Sequence, residues 1–423
     1  MITPREAAHC RPPARNPRRI GTTAVLLALA ALGLVPGHPA SAAASSATAA
    51  ARIVPEDSQE IGAFGDNAYQ QSAIPSAVQK GASAISAGRF HSLALKNNAV
   101  YAWGSNLYQQ TTVPKELSSG VTAISGGYLH SLAVKDGKVI AWGSDRYDAT
   151  KVPQDSQSGV TAVAAGQFFS LALKDGKVIA WGDNRYQQTQ LPQQTQSGIT
   201  AIAAGAYHAL ALTADKKVIA WGDNRNKQTA VPPEVQSSSI IAIAAGRDFS
   251  LALSDQGRVY AWGSESRSKL VVPETAKTQV TAITAGYEHA VALRSTGEVI
   301  AWGDDRYQQT RPAAAQWGTT AITAGAYHTL AVRGCQTGSF CMWEDTNYTG
   351  RSGFYKSERP YLSSDSLENK VSSVTNNTKQ NWCIYRGDAY QVEARVVPPG
   401  KTIPDLADPA WNFDNATRSA RPC

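Results

Sequence analysis

Six tryptophans at nearly equal spacing constrain the fold of this chain more than any other feature. Each lies in an Ala-Trp-Gly triplet, and successive ones are 39, 39, 40, 41 and 40 residues apart: Trp103, Trp142, Trp181, Trp221, Trp262 and Trp302. A glycine that opens a segment such as GRFHSLAL recurs in step, at Gly88, Gly127, Gly166, Gly205, Gly246, Gly286 and Gly325. A period near 40 residues indicates an array of small repeated units.

Each unit reads as an antiparallel sheet. In residues 158–192, the segments VTAVAA, FSLALK and KVIAW alternate in polarity or are rich in β-branched residues, and no helical period is present. Asp175 and Gly176 form the two-residue turn expected between the last two strands. Because such a sheet cannot bury both faces alone, neighbouring units must stack, as in a β-propeller or another β-repeat array.

The two ends of the array decide between these architectures. The seventh glycine segment, GAYHTLAV, has no Ala-Trp-Gly strand after it, whereas residues 61–71 (IGAFGDNAYQQ) supply an orphan third strand with Phe64 in place of tryptophan. A closed ring needs both pieces to complete one blade. The sequence therefore predicts an all-β fold, a seven-bladed propeller closed by pairing its N-terminal and C-terminal strands.

The first residues predict export. A stretch with five arginines precedes the apolar run from Ala24 to Val35, and Ala40, Ser41 and Ala42 fit a signal-peptidase site. We expect residues 1–42 to be a signal peptide, 43–59 a linker, 60–333 the propeller and 334–423 a C-terminal domain of a secreted, extracellular protein. No later segment predicts a membrane anchor.

Removing the leader changes the charge balance and the cysteine count. Of 40 basic and 33 acidic residues, five and one leave with it, so 35 minus 32 leaves +3 with no basic cluster typical of a nucleic-acid binder. The remaining cysteines predict two disulfides in an oxidising compartment, and four cysteines allow three pairings: Cys335, Cys341, Cys383 and Cys423.

The repeat resembles the regulator of chromosome condensation family, whose members form seven-bladed propellers. The continuation, with LALKDGKVIAWGDNRY and QTxVP, is similar to the β-lactamase-inhibitory protein II family of secreted propellers. That resemblance implies a propeller that occludes the active site of a class A β-lactamase with one end of the ring.

Loops on one rim of a rigid scaffold are the expected contact residues. We predict that the bound protein is contacted by aromatic residues that lie two positions after the repeated glycines or in the turns after Trp-Gly: Phe90, Phe168, Tyr207, Tyr327, Tyr108, Tyr147, Tyr186 and Tyr307. Packing between blades is the alternative role for each. Asp248 and Glu288 replace aromatic residues, so we expect an aromatic and a polar sector of the rim.

Histidines indicate no catalytic or metal site. All five outside the leader share one repeat position, and equivalent positions on different blades cannot converge on one ion. We expect each to hydrogen-bond within its own blade. With no GxSxG, HExxH or phosphate loop, we predict a non-enzymatic protein with no cofactor and no metal.

In the C-terminal region, Trp343, Tyr348 and Gly350 have the spacing of a β/γ-crystallin hairpin. The region resembles β/γ-crystallin-like secreted peptidase inhibitors, some of which block metalloproteinases. The resemblance implies the disulfides Cys335–Cys341 and Cys383–Cys423. It also raises a calcium site at residues 369–373 (NKVSS), although the matching DNATR segment at 414–418 ends in the wrong residue for the six or more oxygen ligands that calcium needs.

Two functions follow as hypotheses. In the first, a secreted monomer inhibits by occlusion, with a β-lactamase at the propeller rim and a metalloproteinase at the C-terminal domain. In the second, the propeller is an adhesion or envelope-binding protein without inhibitory activity. One-to-one titration of a class A β-lactamase distinguishes them.

Overall fold

The structure is a computed structural model that describes residues 59–264, 271–312, 318–335, 338–345, 349–355, 357, 362, 367–409 and 411–423. The proposed leader and nearly all of the proposed linker lie outside these residues, as does Tyr348. Seven three-stranded antiparallel sheets form a β-propeller, and two further sheets follow them.

The first six blades each follow one pattern of inner, middle and outer strand. In chain order the strands of blades 1 to 3 are β2 (Ala84–Ala87), β3 (His91–Lys96), β4 (Ala99–Gly104), β5 (Val121–Gly126), β6 (His130–Lys135), β7 (Lys138–Gly143), β8 (Val160–Ala165), β9 (Phe169–Lys174) and β10 (Lys177–Gly182). Those of blades 4 to 6 are β11 (Ile199–Ala204), β12 (His208–Thr213), β13 (Val218–Gly222), β14 (Ile240–Ala245), β15 (Phe249–Ser254), β16 (Val259–Gly263), β17 (Val280–Ala285), β18 (His289–Arg294) and β19 (Val299–Gly303).

The hairpin within blade 3 forms where the sequence predicts it. Lys174 pairs with Lys177 across the turn. Asp175 and Gly176 have φ of 51° and 72°, the left-handed conformation that lets a two-residue turn match the twist of its strands.

Blade 7 joins the two ends of the propeller. Its strands are β20 (Thr319–Ala324), β21 (His328–Arg333) and the N-terminal β1 (Glu60–Gly65), in the order β1-β21-β20. Phe64 lies opposite Thr329 as Trp181 lies opposite Ser170 in blade 3. The N-terminal strand therefore forms the outer strand of blade 7, as predicted, and takes the place that the strand with Ala-Trp-Gly has in the other six blades.

The hydrophobic core lies between neighbouring blades. Trp221 of blade 4, for example, packs in one cluster with Phe169 and Leu171 of blade 3. At the centre, the residue after each repeated glycine donates its backbone N–H to a carbonyl oxygen of the next blade, with N···O distances of 3.0–3.3 Å. There are seven such bonds, and the last, from Ala326 to Gly88, joins blade 7 to blade 1.

The blades approach so closely there that glycine is required. A Cβ on Gly88 would lie 2.6 Å from the carbonyl oxygen of Gly127 and 2.3 Å from the ring of His91.

The five histidines link different blades, so the expectation that each bonds within its own blade is wrong. Nε2 of each buried ring lies 2.9–3.0 Å from a hydroxyl on the middle strand of the next blade: His91 with Ser131, His130 with Ser170, His208 with Ser250, His289 with Thr329 and His328 with Ser92. The last pair connects blade 7 to blade 1. The middle strands lie close enough across the interface for this contact, which a single repeat does not reveal.

Short helices connect the blades. In the described part of the chain two are α-helical, α1 (Ser76–Gln79) and α2 (Pro233–Ser237), and 3-10 turns span Lys115–Ser118, Arg146–Asp148, Gln154–Ser156, Gln193–Gln196, Glu274–Ala276 and, after the propeller, Asp388–Tyr390. No helix among the described residues is long and apolar enough to cross a membrane.

The described residues of the C-terminal region form two sheets. Their strands are β22 (Phe340–Asp345), β23 (Thr349–Tyr355), β24 (Ser373–Asn376), β25 (Trp382–Tyr385), β26 (Ala394–Val397), β27 (Thr402–Ile403) and β28 (Ser419–Pro422). One sheet has the order β23-β22-β24-β27 and the other β26-β25-β28. The rings of Phe340 and Trp382 stack at 4.7 Å in a shared core.

Disulfides join Cys335 to Cys341 and Cys383 to Cys423, which are the pairs that the family resemblance implies.

Candidate functional site

The candidate rim is built by two loops of each blade, the turn between inner and middle strands and the turn after Trp-Gly. A buried glutamine shapes the second turn in several blades. The Gln110 side-chain oxygen accepts the backbone N–H of Tyr108 at 2.8 Å, and Gln188 and Gln309 hold Tyr186 and Tyr307 in the same way. This bond fixes the backbone that carries the rim tyrosines.

Aromatic residues of the two loops meet in pairs across blade boundaries. In each pair, a tyrosine after the Trp-Gly position of one blade contacts the aromatic residue two after the glycine of the next. Ring centroids lie 4.9–5.4 Å apart in Tyr69–Phe90, Tyr147–Phe168, Tyr186–Tyr207 and Tyr307–Tyr327. Seven of the eight predicted contact residues thus lie in such pairs.

An open cavity of about 450 Å³ lies over the blades that carry most of these residues. Five predicted contact residues line it: Phe90, Tyr108, Tyr147, Phe168 and Tyr207. Tyr186, Tyr307 and Tyr327 do not line the cavity, although Tyr327 lies 6.3 Å from Phe90.

Exposure separates the predicted residues into two groups. Tyr108 is 50% exposed, and Tyr147 and Tyr307 are 38% and 46% exposed. Phe168 is only 7% exposed because it is enclosed by Tyr128 and Tyr147, so it supports the surface more than it presents one. Burial also raises the pKa of Tyr207, which keeps its hydroxyl protonated.

Charged residues occupy the opposite part of the rim. Arg247 lies 3.6 Å from Asp248 and 3.4 Å from Glu288, and Glu288 also accepts from Arg306 at 3.1 Å. The two acidic residues that replace aromatic ones therefore belong to a chain of ion pairs.

Sequence reasoning missed the residues at the centre of the rim. Tyr128 and Tyr287 immediately follow the repeated glycines, and their rings lie 6.1 Å apart over the central channel. The guanidinium of Arg89, at the same repeat position, lies 4.0 Å from the Tyr128 ring. Aligning the residue directly after each glycine would have revealed this set.

The C-terminal region presents a separate loop. Val392, at the end of the loop before β26, is 76% exposed and has φ of 68°, which is a strained conformation for a β-branched residue. The loop is held at its base, where Arg386 pairs with Glu393 at 2.9 Å and Ser419 accepts the backbone N–H of Tyr390 at 3.1 Å.

The two segments that the crystallin resemblance singles out for calcium lie side by side. Asn369 donates its backbone N–H to Thr417, and Asn415 donates to Val371. Within the described part of the chain, no three histidine, cysteine, aspartate or glutamate residues are grouped as metal ligands.

Two protein families match parts of this chain. The regulator of chromosome condensation (RCC1) repeat matches residues 82–110, 160–188, 199–228, 240–268 and 280–309. Peptidase inhibitor family I36 matches residues 329–397. Among curated proteins, none matches this sequence.

Solved structures are similar to the propeller at low identity. Prp20p from Saccharomyces cerevisiae has a TM-score of 0.55 and 18% identity over 67% of this chain and 93% of its own. Human WBSCR16 has a TM-score of 0.53 and 18% identity over 65% of this chain and 99% of its own. These similarities show the fold. A β/γ-crystallin from Ciona intestinalis covers 20% of this chain at a TM-score of 0.19, so the crystallin-like fold of the C-terminal region stays a prediction.

Proposed function

We propose that this chain, in which an RCC1-repeat propeller precedes a peptidase inhibitor family I36 domain, is a secreted inhibitor that acts by covering the active sites of other proteins. The propeller rim binds an enzyme such as a class A β-lactamase, and the C-terminal domain binds a metalloproteinase. The protein itself carries out no reaction.

The aromatic rim is the observation that carries the first half of the proposal. Five of the exposed large apolar side chains in the described residues lie there: Tyr69, Leu107, Tyr108, Tyr147 and Tyr307. Soluble proteins rarely expose such a cluster unless it binds something, and aromatic side chains often dominate the energy of protein interfaces. Rigid blades beneath the rim limit the entropy lost on binding.

Enzyme titration tests this half. The purified chain should abolish hydrolysis by a class A β-lactamase at one-to-one stoichiometry, and Tyr108→Ala combined with Tyr147→Ala should weaken inhibition by at least roughly 30-fold, as loss of interface aromatic anchors does. Val392→Ala, in the other domain, is the matched control. If the native chain leaves hydrolysis untouched, the adhesion or envelope-binding alternative takes its place.

The exposed loop supports the second half. A loop held by an ion pair at its base and carrying one exposed apolar side chain suits insertion into an enzyme's specificity pocket, and backbone strain is concentrated at such functional positions. The chain should slow a thermolysin-type enzyme, and Val392→Asp should relieve that inhibition while the double rim variant does not. Digestion of the domain without any delay would leave it a structural role only.

Export and domain boundaries are part of the same proposal. We place the signal peptide at residues 1–42, the linker at 43–59, the propeller at 60–333 and the inhibitor domain at 334–423. Disulfides are consistent with an oxidising compartment. Mass spectrometry of the exported protein should find Ala43 at its N-terminus, and light scattering should find a monomer.

A further inference from the structure

At the centre of the rim, Arg89 has a guanidinium group with a hydrogen-bond donor that no described residue accepts. Arg89 lies between aromatic rings, with its guanidinium carbon 4.4 Å from the centroid of Phe90, 4.0 Å from that of Tyr128 and 5.6 Å from that of Tyr287. Its Nε is buried and has no hydrogen-bond partner among the described residues. Cation–π contacts hold the guanidinium plane but do not satisfy its N–H donors.

A second donor without a partner lies in the same group of residues. The Tyr287 hydroxyl is buried and makes no hydrogen bond to the described residues. Burial raises its pKa far above the ordinary value, so the hydroxyl keeps its proton and can donate it. Both side chains line the mouth of the central channel, whose cavity measures about 60 Å³.

Acidic groups are missing from this ring of positions. The seven residues that follow the repeated glycines are Arg89, Tyr128, Gln167, Ala206, Arg247, Tyr287 and Ala326. Arg247 already pairs with Glu288, whereas no carboxylate of the described residues pairs with Arg89. The repeat therefore contains a matched pair of arginines, one neutralised and one not.

We propose that Arg89 and Tyr287 form a carboxylate-binding site at the mouth of the central channel. This inference rests on the proposed function of the rim, and the occupant is an acidic side chain in a loop of the bound protein. A guanidinium presents parallel N–H donors that match the two oxygens of a carboxylate, and the phenol supplies a third donor. Aromatic walls exclude water and strengthen these charge-assisted bonds. A free small carboxylate offers the same chemistry, so the experiment separates the two sources.

Nuclear magnetic resonance of the full mature chain with ¹⁵N-labelled arginine tests the site, because it observes the Arg89 Nε–H directly. Sodium acetate should shift this resonance in a saturable way at constant ionic strength, and sodium chloride should not. Arg89→Met lacks this resonance, so its acetate binding is followed through the backbone amide shifts of a uniformly ¹⁵N-labelled chain, which should show no saturable response. Tyr287→Phe should weaken acetate binding roughly ten-fold, since one hydrogen bond to a charged group is lost. Arg247→Met, at the equivalent repeat position, should leave it unchanged.

Cyclic peptides that display one aspartate identify the source of the carboxylate. The aspartate peptide should bind more tightly than acetate, and its asparagine counterpart should not bind. Equal binding of the two peptides would overturn the assignment to a protein side chain. No acetate response of Arg89 in the native chain, or saturable amide shifts that persist in Arg89→Met, would overturn the site itself.

The β-lactamase titration keeps this inference separate from the proposed function. Arg89→Met should weaken inhibition roughly ten-fold with an unchanged melting temperature. Unchanged inhibition by this variant would leave the function standing and refute the carboxylate site. Acetate binding by a chain that does not inhibit the β-lactamase would support the carboxylate site and refute the proposed function of the rim.

Discussion

At the scale of single residues, the contacts between neighbouring middle strands follow a pairing code with two kinds of side-chain pair, one polar and one apolar. Where a blade carries histidine, the next blade carries serine or threonine. Phe169 and Phe249 replace histidine in blades 3 and 5, and there the following blades carry Ala209 and Ala290. A polar pair is thus always exchanged for an apolar pair, because a buried imidazole N–H without an acceptor would destabilise the interface.

The hydroxyl partner also fixes the histidine tautomer. Ser131 donates its hydroxyl proton to the Gln110 carbonyl at 2.9 Å, so it must accept from Nε2–H of His91. Nδ1 of His91, His208, His289 and His328 has no partner among the described residues, which suits the neutral ring.

A pair exchange tests this code. His208→Phe and Ser250→Ala should each destabilise the chain, whereas the double variant should recover stability because it reproduces the Phe169–Ala209 interface. We expect a coupling free energy of roughly 0.5–3 kcal/mol from urea unfolding of the four chains. Strictly additive effects would show that the two side chains do not depend on one another.

Stability should fall as the pH is lowered through the histidine range. Burial lowers the pKa of His91 and His328 from 6.5 to about 3, and that of His130, His208 and His289 to about 4. Between about pH 4 and 6.5 the unfolded chain therefore binds more protons than the folded chain, so the free energy of unfolding rises with pH by up to roughly 1.4 kcal/mol per unit for each histidine.

Melting temperatures between pH 7.5 and 4.5 check this expectation. The His208→Phe, Ser250→Ala double variant is the control, because its unfolding should take up about one proton fewer in this range. If the melting temperatures of the two chains fell equally with pH, the expected contribution of His208 would be contradicted.

Elements were easier to predict than contacts between them. The strands of the propeller repeat and the Asp175–Gly176 turn could be read from alternation and turn residues, because both depend on neighbours in the chain. The hydroxyl partners of the histidines lie about 40 residues or more away in other blades, as do the Tyr128 and Tyr287 rings beside Arg89, so a pattern within one repeat cannot show them. The exposure of Tyr108 and the burial of Phe168 likewise depend on what packs around each ring.

Rim turns and outer strands should respond differently to truncation. Trp181 is 7% exposed, packs against Leu132 and Val139 of the preceding blade and donates to the Ala149 carbonyl at 2.9 Å. Trp181→Ala should cost about 3–5 kcal/mol by opening a cavity. Tyr108→Ala should change stability by less than about 0.5 kcal/mol, because its ring is half exposed.

Chemical denaturation of both variants measures the difference. A similar loss of stability in the two would show that the rim tyrosine is a packing residue, and Tyr108 would then be a poor choice of contact residue.

At the scale of the whole molecule, one strand completes the ring. Without β1, β21 would expose the row of backbone groups that now pairs from Glu60–Arg333 to Gly65–His328. A chain that begins at Asn67 should melt at a lower temperature than one that contains β1 and should form aggregates through this edge. A chain that begins at Gln59 keeps β1 and is the control.

Calorimetry and size-exclusion chromatography compare the two chains. Identical melting and elution would mean that blade 7 is stable with two strands.

The paired side chains between middle strands also limit how the ring can change in size. Each blade has a joint, meaning a contact between middle strands, with the blade on either side, and the two joints can differ in type. Blade 3 has a polar joint with blade 2 (His130–Ser170) and an apolar joint with blade 4 (Phe169–Ala209). Blade 4 has that apolar joint and a polar joint with blade 5 (His208–Ser250). Deleting blade 3 alone would leave His130 facing Ala209, a mismatched joint. Deleting blades 3 and 4 together would bring His130 to Ser250 and leave every remaining joint matched. Blades of this protein are therefore not interchangeable parts, and a shorter or longer ring can be made only by cutting at joints of the same type.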